Sequence, residues 1–96
     1  MTLTGKQKHY LRGLAHNRKP VVTVGASGVT PAVVGELEQA LAHHELLKIK
    51  LPAGDRGERQ LLLEHICRQT GAELVQLLGR NGTVYRPAEK PKVRLP

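Results

Sequence analysis

Apolar positions recur along this chain at two spacings, and the alternation between them lays out the fold. From Thr4 to His16, Tyr10, Leu11 and Leu14 follow helical spacing, with Lys6, Lys8, His9 and Arg12 spread over the remaining surface. This predicts a basic amphipathic helix. Pro20 disfavours helix at the residue before it, and the β-branched run Val21 to Val24 then reads as a short buried strand ending at Gly25. Thr30 is a suitable N-cap and Pro31 a suitable first helical residue. They open a helix with the stripe Val33, Val34, Leu37, Ala40 and Leu41, running to about His43.

The period then drops to two. Leu47, Ile49 and Leu51 alternate with Leu46, Lys48 and Lys50, predicting a strand with one face in the core and a basic face turned out. Asp55 with Glu58 resembles a capping box, and Leu62, Leu63, Ile66 and Thr70 keep helical spacing up to Gly71. Ala72 to Leu78 reads as a third strand, Gly79-Arg80-Asn81-Gly82 as a turn on its Asn-Gly signal, and Thr83 to Arg86 as a fourth strand. The expected fold is α/β: a helix followed by βαβαββ, with a mixed four-stranded sheet in a layered sandwich. The helices from Thr30 and Asp55 pack on one face of it. Residues 1–87 form a single domain in this reading, and the basic, Pro-rich residues 88–96 form a loosely held tail.

Composition changes the picture by removing options. The 96 residues include no Phe, no Trp and two tyrosines, so the core is aliphatic and base stacking on aromatic platforms is restricted to Tyr10 and Tyr85. Recognition of a nucleic-acid backbone is the better fit. The net charge of +7 is unevenly placed: residues 1–35 carry five basic and no acidic side chains, 36–78 five basic and seven acidic, and 79–96 five basic and one acidic. Charge gathered at the two ends suggests a footprint for a polyanion, the plainer alternative being a solvated surface with a basic tail. The lone Cys67 sits in an apolar helical pattern and reads as a buried, inert thiol. With no signal-peptide pattern and no apolar run of membrane-spanning length, the chain reads as soluble and cytoplasmic.

The leading candidate for chemistry is Gly25-Ala26-Ser27-Gly28, between a strand and a well-capped helix. Two glycines allow a sugar-phosphate chain close approach, and the helix start presents N–H groups and a positive dipole end to an anion. A plain βα turn explains the same letters equally well. No P-loop or dinucleotide fingerprint is present. Lys48 and Lys50 share one strand face, while Arg12, His16 and Arg80 are further phosphate partners; Arg18 and Lys19 lie at the opposite end of the first strand from the loop. His43-His44-Glu45 fits a structural or capping role better than a metal site, no catalytic triad or carboxylate pair emerges from spacing, and no cofactor is expected. The reading is a non-enzymatic RNA binder. Its rivals are a small enzyme binding a phosphorylated metabolite at the glycine loop, which predicts convergent titratable groups beside it, and a protein-binding adaptor, which predicts a large exposed apolar patch.

Several segments together resemble a known family. Leu11-Arg12-Gly13-Leu14-Ala15-His16, Lys19-Pro20-Val21-Val22, Gly25-Ala26-Ser27-Gly28, His44-Glu45-Leu46-Leu47-Lys48-Ile49-Lys50 and Tyr85-Arg86-Pro87 are similar to the single-domain bacterial YhbY proteins of the CRM family. Ser27 stands where that family often has Asn. The resemblance implies a fold related to the C-terminal domain of bacterial translation initiation factor three, with the GxxG loop and nearby basic surface on RNA. It also implies association with precursors of the large ribosomal subunit. The RNA-facing set is then Gly25, Ala26, Ser27 and Gly28 with Lys6, Lys8, Arg12, His16, Arg18, Lys19, Lys48, Lys50 and Arg80.

Overall fold

Each helix begins where a short polar side chain can take over a backbone donor. In the computed structural model, which describes residues 2–96, Thr4, Thr30 and Asp55 accept from the N–H groups of Gln7, Val33 and Glu58 at the starts of α1 (Gly5–Ala15), α2 (Pro31–His44) and α3 (Arg56–Thr70). The complete capping box forms in α1, where the Gln7 side chain accepts from Thr4 N–H at 3.0 Å. At α3 the cap is Asp55 Oδ1, 2.8 Å from Glu58 N. Asp55→Ala is expected to lower stability by about 1 kcal/mol, read as a fall in the thermal midpoint.

The strands are β1 (Val22–Thr23), β2 (Leu46–Lys50), β3 (Glu73–Leu78) and β4 (Asn81–Tyr85), in the sheet order β1-β2-β4-β3. The β1-β2 pair is parallel and the other two pairs antiparallel, so the sheet is mixed as expected. On one face α2 and α3 bury the main core, in which Leu37, Leu41, Leu63 and Ile66 meet Val22, Ile49, Leu77 and Val84.

The other face departs from the expected basic, solvated surface. α1 lies across one end of it, and Leu3, Leu11 and Ala15 pack on Leu46, Val75 and Tyr85. Leu46, read as outward-facing, is therefore only 2% exposed. The α1 stripe is Leu11 and Ala15, four residues apart, while Tyr10 and Leu14 stay partly exposed, at 40% and 37%. A helix on each side makes the sandwich three layers deep, and it also explains a β-bulge in β3 between Leu74 and Gln76. The extra residue, Val75, turns into the α1 layer, while Leu74 and Leu77 stay with the α2–α3 core.

Two local readings change. The first strand is an edge of two residues, with Val22 and Val24 buried and Val21 52% exposed, because only one side of it faces helices. The hairpin turns at Gly79-Arg80, not at Asn81-Gly82: Leu78 pairs with Asn81, and Gly79 has φ 59°, the first central position at which a type II′ turn needs glycine. Gly82 instead lies inside β4 under α3, where a Cβ would stand 2.8 Å from a Leu63 methyl. Packing decides that glycine.

Candidate nucleic-acid interface

Because α1 covers one end of the sheet, the other end of the same face stays open. Along β2 and β4 the register pairs Leu46 with Tyr85 under the helix, then Lys48 with Thr83 and Lys50 with Asn81 beyond it. The open end forms a cleft between α1 and the sheet lined by Arg12, His16, Lys48, Gln76, Asn81 and Thr83. Lys8, Arg12 and His16 stand four residues apart and so form one row along α1. Lys6 is exposed but falls off that row.

Beside this cleft, across Lys48, lies a second one that Arg18 and Lys19 enter from the α1–β1 connection. Arg18 is anchored there by one N–H donated to the Leu46 carbonyl at 3.1 Å. Lys48 lines both clefts, so Arg12, His16, Lys48, Arg18 and Lys19 make one continuous basic surface. Among the described residues the single ion pair within 4.0 Å is Arg86–Glu38. The cations of this surface carry no carboxylate partner.

The glycine loop stands at the far end of β1. Gly28 N donates to Gly25 O at 3.0 Å, and Gly28 takes φ 74°, a left-handed conformation suited to glycine. Ala26 and Ser27 are exposed, and among the described residues neither of their N–H groups has an acceptor. The helix start contributes less than the sequence suggests. Pro31 has no N–H and Thr30 Oγ1 already takes Val33 N–H at 3.2 Å, so the first turn keeps Ala32 N–H for a ligand. No acidic residue in that turn offsets the dipole.

Two charged residues beside the loop were not read from the sequence as part of the site, Glu58 having been read only as part of a helix cap. Glu58 and Arg59, from the first turn of α3, line its shallow cleft with Pro52, Ala53 and Leu62. Arg59 donates to the Gly54 carbonyl, and its buried Nε has no acceptor among the described residues. Their spacing reads as ordinary helix surface, and only the fold carries the end of β2 and the start of α3 to the loop. Arg80 reaches the same end of the sheet and is anchored there, its Nε donating to the Leu51 carbonyl at 2.9 Å. Lys50 is exposed at the end of β2, on the face it shares with Lys48.

The residue that sequence reasoning most undervalued is Glu45. It caps α2 at φ 60° and ψ −56°, a rare conformation for a residue other than glycine that costs of order 1–3 kcal/mol. Only 1% exposed, it gathers the C-terminal segment. Ala88 N–H donates to Oε2 at 2.8 Å, while Lys92 and Val93 N–H donate to Oε1 at 2.8 and 3.1 Å. Val93 and Leu95 pack against the α1 layer, so the segment that composition alone leaves loose is tied down. Burial pushes the Glu45 carboxyl up, but the three N–H donors and the Lys92 charge outweigh burial and hold it below its ordinary value of 4.5. The folded value being the lower one, its contribution to stability is complete at neutral pH and is lost as pH falls through it.

Of the remaining candidates, Cys67 lines neither cleft, while His43 and His44 line the second one. Burial, with Glu73 and Glu64 nearby, pushes the Cys67 thiol up to about 11, so it stays protonated at neutral pH. The His43 and His44 rings meet edge to face at 4.6 Å, and among the described residues no three His, Cys, Asp or Glu side chains converge to hold a metal. No described helix is long and apolar enough to cross a membrane.

Comparison with known proteins identifies the family and the overall fold. Residues 3–86 match the CRS1 / YhbY (CRM) domain. The chain is 47% identical to an RNA-binding protein of Haemophilus influenzae, over 99% of this chain and 96% of that one. It is 42% identical to a probable RNA-binding protein of Pseudomonas aeruginosa, over 99% of this chain and 91% of that one. Its fold is similar, at a TM-score of 0.87 and 34% identity, to the solution structure of a Staphylococcus aureus protein proposed to bind RNA, covering 99% of this chain and all of that one. With the family match running from Leu3 to Arg86 and the fold shared with a relative at full coverage, the chain belongs to the CRS1/YhbY (CRM) domain family.

Proposed function

We propose that this chain is an RNA-binding ribosome-assembly factor that holds structured RNA in precursors of the large ribosomal subunit by its backbone, in the cytoplasm and without a chemical step. The observation that carries the reading is the unneutralised basic surface running from Arg12 and His16 through Lys48 to Arg18 and Lys19, with Lys8 one turn further along α1. Two relatives whose names include RNA binding support the partner class. Lys50 and the glycine loop, with Ala26 and Ser27 at its tip, extend this surface along β1 and β2. Residues 1–87 are the RNA-binding unit in this reading.

A metabolite enzyme at the loop is less well supported. Beside it the titratable side chains are Glu58 and Arg59, and Arg59 is turned to the Gly54 carbonyl. The aromatic content points the same way as the charge: the chain has no Phe or Trp and, with Tyr85 buried, Tyr10 is the one exposed tyrosine, so stacking on such platforms contributes little and phosphate contacts dominate.

Affinity is therefore expected to be strongly salt-dependent. With about four phosphates engaged, the slope of log K against log salt is roughly −3.5, a loss of about 100-fold between about 50 and 200 mM salt. Titration of an RNA hairpin at several ionic strengths measures this, and a flat dependence refutes backbone recognition. Crosslinking in cells, followed by sequencing of the attached RNA, tests the ribosomal assignment. Recovery of large-subunit precursor RNA supports it, and recovery of unrelated RNA overturns it.

A further inference from the structure

We propose that the C-terminal segment is the second wall of a phosphate-binding cleft facing Arg18 and Lys19, and that Glu45 is the positioning residue that holds this wall in place. The proposal rests on the RNA-binding reading and adds to it a site at the opposite end of the sheet from the glycine loop. The cleft encloses about 440 Å³ between the α1–β1 connection, the end of α2 and the C-terminal segment, with Arg18, Lys19, Lys48 and Lys92 on its sides and Glu45 at its base.

A carboxylate at the base would ordinarily repel phosphate. Here it is 1% exposed and its two oxygens accept three backbone N–H groups, so it is turned toward the segment it holds. The same bonds fix Lys92 in position, because its own N–H is one of the three. The segment is held at further points. Val93 and Leu95 pack on the α1 layer, and Gln7 Nε2 donates to the Pro96 carbonyl at 3.3 Å. Among the described residues, none of the four cleft cations makes an ion pair within 4.0 Å. Arg18 and Lys19 on one wall, together with Lys92 on the other, whose charge acts on the buried Glu45 carboxylate without a direct ion pair, form a seat for an external anion.

Position selects the anion. Lys48 lines this cleft and also the one holding Arg12 and His16. Gly25 lies six positions beyond Lys19, roughly 20 Å along an extended chain. A single sugar-phosphate chain laid along the edge of the sheet therefore meets the cleft, then Lys48 and Lys50, then the glycine loop. The ligand class is RNA backbone, with the C-terminal segment gripping one end of the tract.

The test uses the full chain and an RNA hairpin with a single-stranded tail at fixed salt. Lys92→Glu is expected to weaken binding about tenfold and to reduce the salt slope by about one. Lys92→Arg should bind as the parent does, and Lys90→Glu, on the same segment but outside the cleft, should have a clearly smaller effect than Lys92→Glu. Glu45→Gln, which cannot accept the same three N–H bonds as a charged group, should lose hydrogen-exchange protection at Ala88, Lys92 and Val93 and weaken RNA binding. Equal effects of Lys92→Glu and Lys90→Glu would reduce the segment to diffuse charge and overturn the cleft. Unchanged amide protection in Glu45→Gln would remove Glu45 from its positioning role. If Lys92→Glu binds normally while acidic substitutions in the glycine loop abolish binding, the cleft falls and the RNA-binding reading stands. A parent chain that binds no RNA sinks both.

Discussion

Replacing Ala26 and Ser27 together by Asp is expected to weaken binding of a structured RNA by roughly tenfold or more, equivalent to about 1.4 kcal/mol or more, while leaving the fold intact. Both side chains are exposed, and the turn is closed by backbone, through Gly28 N on Gly25 O at 3.0 Å and the left-handed Gly28. The substitutions therefore change the charge at the tip and little else, and surface changes of this kind alter stability by about 0.5 kcal/mol. The structure also says which donors are being screened. Pro31 and the Thr30 cap leave Ala32 N–H from the helix start, so a phosphate at the loop would draw more on the N–H groups of Ala26 and Ser27 than on the helix. Two carboxylates placed there repel a phosphate directly. Lys48→Ala with Lys50→Ala should weaken binding less, since attraction is lost and no repulsion is added. Titration of one RNA at fixed salt, with thermal melting as the folding control, decides the matter. An Asp pair that melts and binds like the parent shows that the loop is only a turn.

Gly82→Val is expected to cost about 3 kcal/mol, lowering the melting temperature of a domain of this size by roughly 10–20 °C. The new Cβ would stand 2.8 and 2.9 Å from the two Leu63 methyl carbons, and Leu63 is fully buried between α3 and the sheet. A buried leucine in a close-packed core cannot turn aside without displacing its neighbours. Shortening it should relieve the conflict: Leu63→Ala is destabilising alone, yet with Gly82→Val the loss should be clearly smaller than the sum of the two. Denaturant unfolding of the four proteins measures that coupling. Additive losses would mean that Gly82 is required by its backbone and not by the helix above it.

Gly82 also marks where reading along the chain stops being sufficient. Asn-Gly is a strong hairpin signal, and within the chain nothing distinguishes it from the adjacent Gly79-Arg80 pair, which makes the turn. The distinction comes from α3, whose Leu63 needs a residue without Cβ beneath it. Leu46 poses the same problem. Its alternation with Lys48 and Lys50 places it correctly on the second face of the sheet, but whether that face is wet depends on where α1 docks. Glu45 is the extreme case: a charged residue at a helix end reads as solvent-exposed, and it becomes a buried clasp because residues 88–93, more than forty positions away, return to it.

By itself the sequence determined the order of the helices and strands, the mixed character of the sheet, the placement of α2 and α3 on one face, and the basic character of both ends of the chain. These follow from side-chain periodicity, capping and charge, which act over a few residues and are written locally. The tertiary structure alone decided that α1 leaves half of one sheet face open, that Arg12, His16 and Lys48 meet there, and that Lys48 joins them to Arg18 and Lys19. It also decided that Arg80 is anchored on the Leu51 carbonyl and that Arg59 stands beside the glycine loop. The physical reason is common to all of these. Each depends on which side chains are brought within a few ångströms across large separations in sequence, and that is set by how the layers pack, where burial and steric fit outweigh the preference of any single residue.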